Sequence, residues 1–133
     1  MNRFNKGDKL KYKSMDFIVE DIKFSYGVQF YGLRGAYTDF YYNMKVYDVD
    51  NSSSPLSISN DEVKKISEFF KYFKMFILRN KDVVIVSDYM KDCIINKLGI
   101  TLDKFDEYLS TILDNGIISK ISYDAYHVRS DFL

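Results

Sequence analysis

The chain has 133 residues, 47% hydrophobic and 29% charged, and its 19 basic and 19 acidic side chains cancel to a formal net charge of zero. That length suits one ordinary domain or two very small ones, and the composition excludes a disordered chain. The zero balance excludes the whole-molecule positive field by which many nucleic-acid binders reach phosphate, so any such surface has to be local.

In chain order, the first segments are short runs rich in β-branched and aromatic residues: KLKYK (9–13), DFIVEDIKF (16–24), VQFYGLR (28–34) and MKVYDV (44–49). Each reads as a strand, and SYG at 25–27 separates the second from the third as a hairpin turn does. Four or five short strands within about fifty residues suit a small bent barrel rather than a large sandwich. The stretch DVDNSSSPLSISND (48–61) holds the one proline, Pro55, and three consecutive serines. Turn-forming composition of this kind predicts a linker over 51–58 between a module at 1–50 and a second at 59–133.

The second module opens with Ser59 and Glu62 at capping-box spacing, so a helix is expected to begin there. Val63, Ile66, Phe69, Phe70, Phe73, Phe76 and Ile77 then recur at helical intervals as one apolar stripe. DVVIV (82–86) reads as a strand. Ser87 can cap a second helix with Met90, Cys93, Ile94 and Leu98 inward, and Gly99 ends it. Thr101 can cap a third helix, with Leu102, Phe105, Leu109, Ile112 and Leu113 as its buried stripe and Asn115-Gly116 as its stop. IISKIS and YHVR follow as a two-stranded wing around Tyr123-Asp124.

Two resemblances follow from these residues. KGDKLKYK followed by FIVEDI is similar to the start of an SH3-like barrel. VSDYMKDCIINKLGI running into LDKFDEYLSTILDNGIIS makes residues 59–129 resemble a winged helix-turn-helix domain. Together they imply an α+β chain: an N-terminal SH3-like antiparallel β-barrel, then a C-terminal winged helix in the order helix, strand, helix, helix, β-hairpin. The family default places the third helix in a DNA major groove and the wing on the backbone.

Enzymatic chemistry has little to work with. The one histidine, His127, falls in the expected wing, and the one cysteine, Cys93, falls on an apolar helix stripe as a small core residue, so a Cys-His or Ser-His-Asp arrangement is not expected. One Cys and one His also exclude the usual zinc frameworks. GVQFYGLRG (27–35) lacks the Lys-Ser/Thr of a phosphate loop, and its glycines suit barrel bends. Neighbouring acids at Glu20-Asp21 and Asp106-Glu107 read as ordinary surface. No catalytic residue, metal or cofactor is expected, and no small-molecule substrate is evident. A single cysteine makes no internal disulfide, and no apolar run follows MNRFNKGDK, so a cytoplasmic protein without a membrane span is expected.

Binding is the remaining possibility. Outside its apolar stripe the third helix carries Asp103, Asp106, Glu107 and Asp114 against Lys104, a face that phosphate repels. With Tyr108 at its edge, that face suits a basic protein surface. Tyr37, Tyr41 and Tyr42 belong to an aromatic surplus, with Tyr31, Phe40 and Tyr47, that exceeds what so small a barrel core holds. The alternative partner is DNA or RNA, met through a local basic ridge of Lys64, Lys65, Lys71, Lys74, Arg79 and Lys81 with Lys104, Lys120 and Arg129 beyond it.

The two-module plan, with 12 Tyr, 11 Phe and no Trp in an A/T-rich coding style, is similar to small phage or mobile-element proteins, including anti-defence inhibitors such as anti-CRISPRs. The expectation is a non-catalytic protein that binds and regulates or inhibits a protein component of a nucleic-acid-handling complex. Its rival is a winged-helix transcriptional regulator.

Overall fold

The computed structural model describes residues 2–133. The fold is α+β, with eight strands in two antiparallel sheets and four α-helices among the described residues. It divides into two compact units, one ending at Ser59 and the other running Asn60–Leu133.

In the first unit, β1 (Lys9–Tyr12), β2 (Met15–Ser25), β3 (Val28–Gly35) and β4 (Tyr41–Lys45) form successive antiparallel neighbours. Two-residue turns join the first three. Lys13 and Ser14 (φ 50 and 67) close β1 onto β2, and Tyr26 and Gly27 (φ 51 and 76) close β2 onto β3. Positive φ at both central positions matches the right-handed twist of the flanking strands. Side chains alternate across the sheet. Leu10, Phe17, Val19, Tyr31 and Leu33 are buried on one face. A register shift between Val19 and Asp21 bends β2, and the sheet stays open, with no closed barrel.

The stretch 44–49 departs from its expected strand. Pairing stops at Lys45 opposite Phe30, and Val46–Ser52 forms helix α1. Val46 and Val49 are both buried. Residues three apart share one side of a helix but opposite faces of a strand, so burying both selects the helix over β-propensity.

The expected linker over 51–58 is also corrected. Ser53–Pro55 is strand β5, paired with Tyr12, Lys11 and Leu10 of β1, which gives a sheet order β4-β3-β2-β1-β5. Pro55 is tolerated because β5 is an edge strand. Leu56 N–H donates to Lys9 O at 3.0 Å and Lys9 Nζ donates to Ile58 O at 2.9 Å, tying the chain to β1 almost to the unit boundary.

The second unit begins with α2 (Asn60–Lys74), which buries Val63, Ile66, Phe69, Phe70 and Phe73 as the spacing predicts. The helix ends before Phe76 and Ile77, whose N–H groups bond three residues back in a tightened turn. Next come β6 (Val83–Ile85), α3 (Asp88–Leu98), α4 (Leu102–Asp114), β7 (Ile118–Lys120) and β8 (Ala125–Val128), then a short 3-10 turn at Ser130–Phe132.

The caps expected at Ser87 and Thr101 form. Ser87 Oγ accepts from Met90 N–H at 3.1 Å, and Thr101 Oγ1 accepts from Lys104 N–H at 3.2 Å. Gly99 closes α3 at φ 63, a conformation that favours glycine. The hairpin β7–β8 takes β6 on its other side, in the order β6-β8-β7. At the core, Phe69 meets Phe105 edge-on at 5.1 Å between ring centres, Tyr108 at 5.9 Å and Phe73 at 6.1 Å.

Candidate interaction surfaces

On α4 the buried residues are Phe105, Tyr108 and Ile112, spaced three and four apart. Leu102 is exposed, and Leu109 and Leu113 are half-buried, so the apolar stripe is rotated toward Tyr108 from its expected position. Tyr108 is therefore corrected from an edge residue of a contact face to a core residue. Its ring packs on Phe69, and its hydroxyl donates to the Glu62 carboxylate, 3.3 Å from each oxygen. Burial, then the charge of Glu62, pushes the phenol up to about 12.

Rotating the stripe leaves Asp103, Asp106, Glu107 and Asp114 exposed along one side of α4. Lys104 does not offset them evenly. Its Nζ lies 3.3 Å from Glu107 and 3.7 Å from Glu62, and these two carboxylates hold the ammonium above its ordinary pKa. Among the described residues, no lysine or arginine pairs with Asp103, Asp106 or Asp114. Tyr126 adds a relationship that sequence alone did not show. Its phenol is raised by burial, then by the negative charges of Asp106 and Asp124, so the acid of α4 and the acid of the β7–β8 turn act on one neighbourhood.

The basic candidates are less continuous than their sequence order suggests. Lys64 and Lys71 are two turns apart on α2, but Glu68 stands between them on the same side. Lys65 is exposed on an adjacent side. Lys74 leaves the ridge altogether, because its Nζ donates to Phe132 O at 3.1 Å and lies 4.7 Å from the Phe70 ring centre. Arg79, Lys81 and Lys120 are exposed. Arg129 is engaged by Asp131 at 3.1 Å and reaches Gly116 O at 3.4 Å.

The aromatic surplus of the first unit resolves into three groups. Tyr31 and Tyr37 are buried. The Tyr31 hydroxyl donates to Asp50 at 2.8 Å and accepts from Phe4 N–H at 3.1 Å, docking α1 and the N-terminal segment on β3. The Tyr37 hydroxyl donates to buried Asp16 at 2.7 Å, which Lys11 also pairs at 2.6 Å. Tyr37 is thus corrected from contact residue to the closure of a buried polar network. Tyr42 is half-buried, against Phe17 at 5.7 Å and Phe40 at 4.2 Å. Only Tyr41 and Tyr47 of the surplus are exposed.

Sequence reasoning missed other exposed rings. Tyr26 is fully exposed at the β2–β3 turn, two residues from Phe24 at 73% exposure, and Tyr123 stands at the β7–β8 turn at 92%. Their positions beside turn residues were the available signal. Cys93 is half-buried on α3 rather than fully inside, and its side chain meets the Tyr89 hydroxyl, raising that phenol. His127 is half-buried on β8 between Val83 and Ser119. Among the described residues, no three His, Cys, Asp or Glu side chains are grouped to hold a metal, and no helix is long and apolar enough to cross a membrane. No family model, curated protein or solved structure matches the chain.

Proposed function

We propose that this chain is a small, non-catalytic, cytoplasmic interaction protein that binds a basic surface on a protein component of a nucleic-acid-handling complex and regulates or inhibits it. The observation that carries this reading is the saturation of Lys104 by Glu107 and Glu62, which leaves Asp103, Asp106 and Asp114 as an uncompensated acidic side of α4. On this reading the second unit is a winged helix whose recognition helix has been turned from phosphate to protein, and the first is an SH3-like module. Electrostatic complementarity of this kind speeds encounter and selects partners more than it adds raw affinity. The similarity to anti-defence inhibitors of phages belongs to the same proposal.

The test uses the full chain as bait in host lysate, with and without nuclease, beside an Asp103→Lys, Asp106→Lys double variant. A protein retained by the wild type after nuclease and lost by the variant supports the reading. Retention of the same protein by both baits, or capture that vanishes with nucleic acid, overturns it. The second reading, a DNA-binding regulator, draws on the helix-strand-helix-helix-hairpin order of Asn60–Leu133 and the exposed Lys64, Lys65 and Lys71. It requires duplex binding that falls steeply with salt and is lost on Lys64→Glu with Lys71→Glu.

A further inference from the structure

The alternation of strand residues sorts the charges of the first unit. Lys9, Lys11, Lys23, Arg34 and Lys45, all the basic residues of β1 to β4, fall on the face opposite the core residues Leu10, Phe17, Tyr31 and Leu33. Lys11 is taken up by Asp16 at 2.6 Å and Arg34 by Glu20 at 3.2 Å. Lys9 is tied to Ile58 O. The cations left for a partner are Lys23 on β2 and Lys45 on β4, both opposite Phe30 of β3 in the register.

Tyr41 lies beside them on the same face. Its ring reaches diagonally across to Gly32, where a Cβ would overlap the hydroxyl and come within 2.9 Å of Cζ. The glycine is therefore what lets the ring lie down on the sheet. Lys23 Nζ sits 5.7 Å from the centre of that ring, which remains 41% exposed. Asp21 is the acid of this ledge, and its carboxylate accepts from Ile22 N–H at 3.0 Å.

Beyond this ledge the β2–β3 turn carries Tyr26, three residues from Lys23, or about 10 Å at strand rise. Tyr26 is fully exposed and holds φ 51, a conformation that costs a bulky aromatic and that Asn or Gly adopts more easily. Nothing in the fold rewards a ring at that position.

We infer that this face of β2–β3–β4, together with the β2–β3 turn at its end, is a binding site for single-stranded nucleic acid. Tyr41 and Tyr26 stack on bases, and Lys23 and Lys45 meet the backbone phosphates beside them. Base stacking on an aromatic ring is tolerant of sequence and needs only a flat, fixed platform with nearby cations. On binding, the Lys23 ammonium moves from the Tyr41 ring to a phosphate, so the ring exchanges a cation for a base. Two free lysines give weak, salt-sensitive binding that suits a protein already recruited to a nucleoprotein by other contacts. The site lies wholly in the first unit and does not depend on the reading of α4.

The experiment is fluorescence anisotropy of the full chain with a labelled oligo(dT) of about a dozen residues, at low and physiological salt, against a duplex of equal length. The expected result is a preference for the single strand and a loss of about tenfold in affinity for Tyr41→Leu. Lys23→Gln with Lys45→Gln weakens binding and flattens its salt dependence. Tyr26→Asn weakens binding while raising thermal stability, a combination that general loss of structure does not give. Lys64→Glu with Lys71→Glu, in the second unit, leaves the affinity unchanged. Absence of binding at low salt, equal affinity for duplex, or sensitivity to the second-unit lysines but not to Tyr41 overturns the inference. Tight capture of a protein through this face, with no response to oligonucleotide, overturns it as well.

Discussion

The Tyr108 hydroxyl sits equidistant, at 3.3 Å, from the two carboxylate oxygens of Glu62, joining the middle of α4 to the first turn of α2. Burial first, then the charge and hydrogen bond of Glu62, hold the phenol protonated well above its ordinary value of 10.0, at about 12. The folded state therefore binds this proton more tightly than the unfolded chain. The resulting stability is fully present below pH 10 and is lost as pH rises toward 12. Urea midpoints measured across that window fall with pH. In Tyr108→Phe the fall is shallower, because one of the protons responsible has been removed. An identical slope in the two proteins contradicts the linkage.

Tyr37 and Asp16 make a comparable pair in the first unit, with both partners buried. Replacing Tyr37 by Phe keeps the ring and withdraws a donor from a buried carboxylate. Hydrogen bonds to charged groups are worth about 1.5–3 kcal/mol, so a loss of that order is expected in chemical denaturation. A change within error means water or another donor takes over the oxygen.

Phe69 is wholly buried among Phe73, Phe105 and Tyr108. Phe69→Ala opens a cavity where α2 meets α4 and is expected to cost about 3–5 kcal/mol. Thermal or urea unfolding of the full chain measures it. Loss of the cooperative transition of the second unit is the extreme form of the same outcome.

Tyr26 predicts a gain. Asn or Gly in its place relieves a left-handed backbone at a solvent-exposed position and is expected to add roughly 1 kcal/mol. Calorimetry of Tyr26→Asn checks this, and a lowered melting temperature means the ring has packing partners in solution.

The strands β1 to β3, the start of α2 and the caps at Ser87, Thr101 and Gly99 were legible because each is set by residues within a turn or two of itself. The stretch 44–49 was not. VYDV has β-propensity, and only the shared burial of Val46 and Val49 makes it helical. Ser53–Pro55 was read as linker because serine and proline lack an intrinsic element preference of the right kind, whereas β1 offers an open row of backbone groups that the local sequence cannot reveal.

The candidate surfaces divide in the same way. The acidity of α4 is a local fact and was visible. The burial of Tyr108 and Tyr37 depends on Glu62 and Asp16, which lie 46 and 21 residues away. The withdrawal of Lys74 depends on Phe132 O, 58 residues away. Contacts at that separation leave no periodic trace.

The pairing of Ser53–Pro55 with β1 bears on how the protein can be taken apart. A fragment cut at residue 50, where composition changes, strips β1 of its neighbour and bares the backbone donors and acceptors of a central strand to any passing chain, the usual origin of edge-to-edge aggregation. The same fragment loses the Ser53 carbonyl that anchors Arg3 at 2.8 Å. Severed after Ser59, the piece keeps its own edge guard, and that cut is the one expected to yield a soluble N-terminal half.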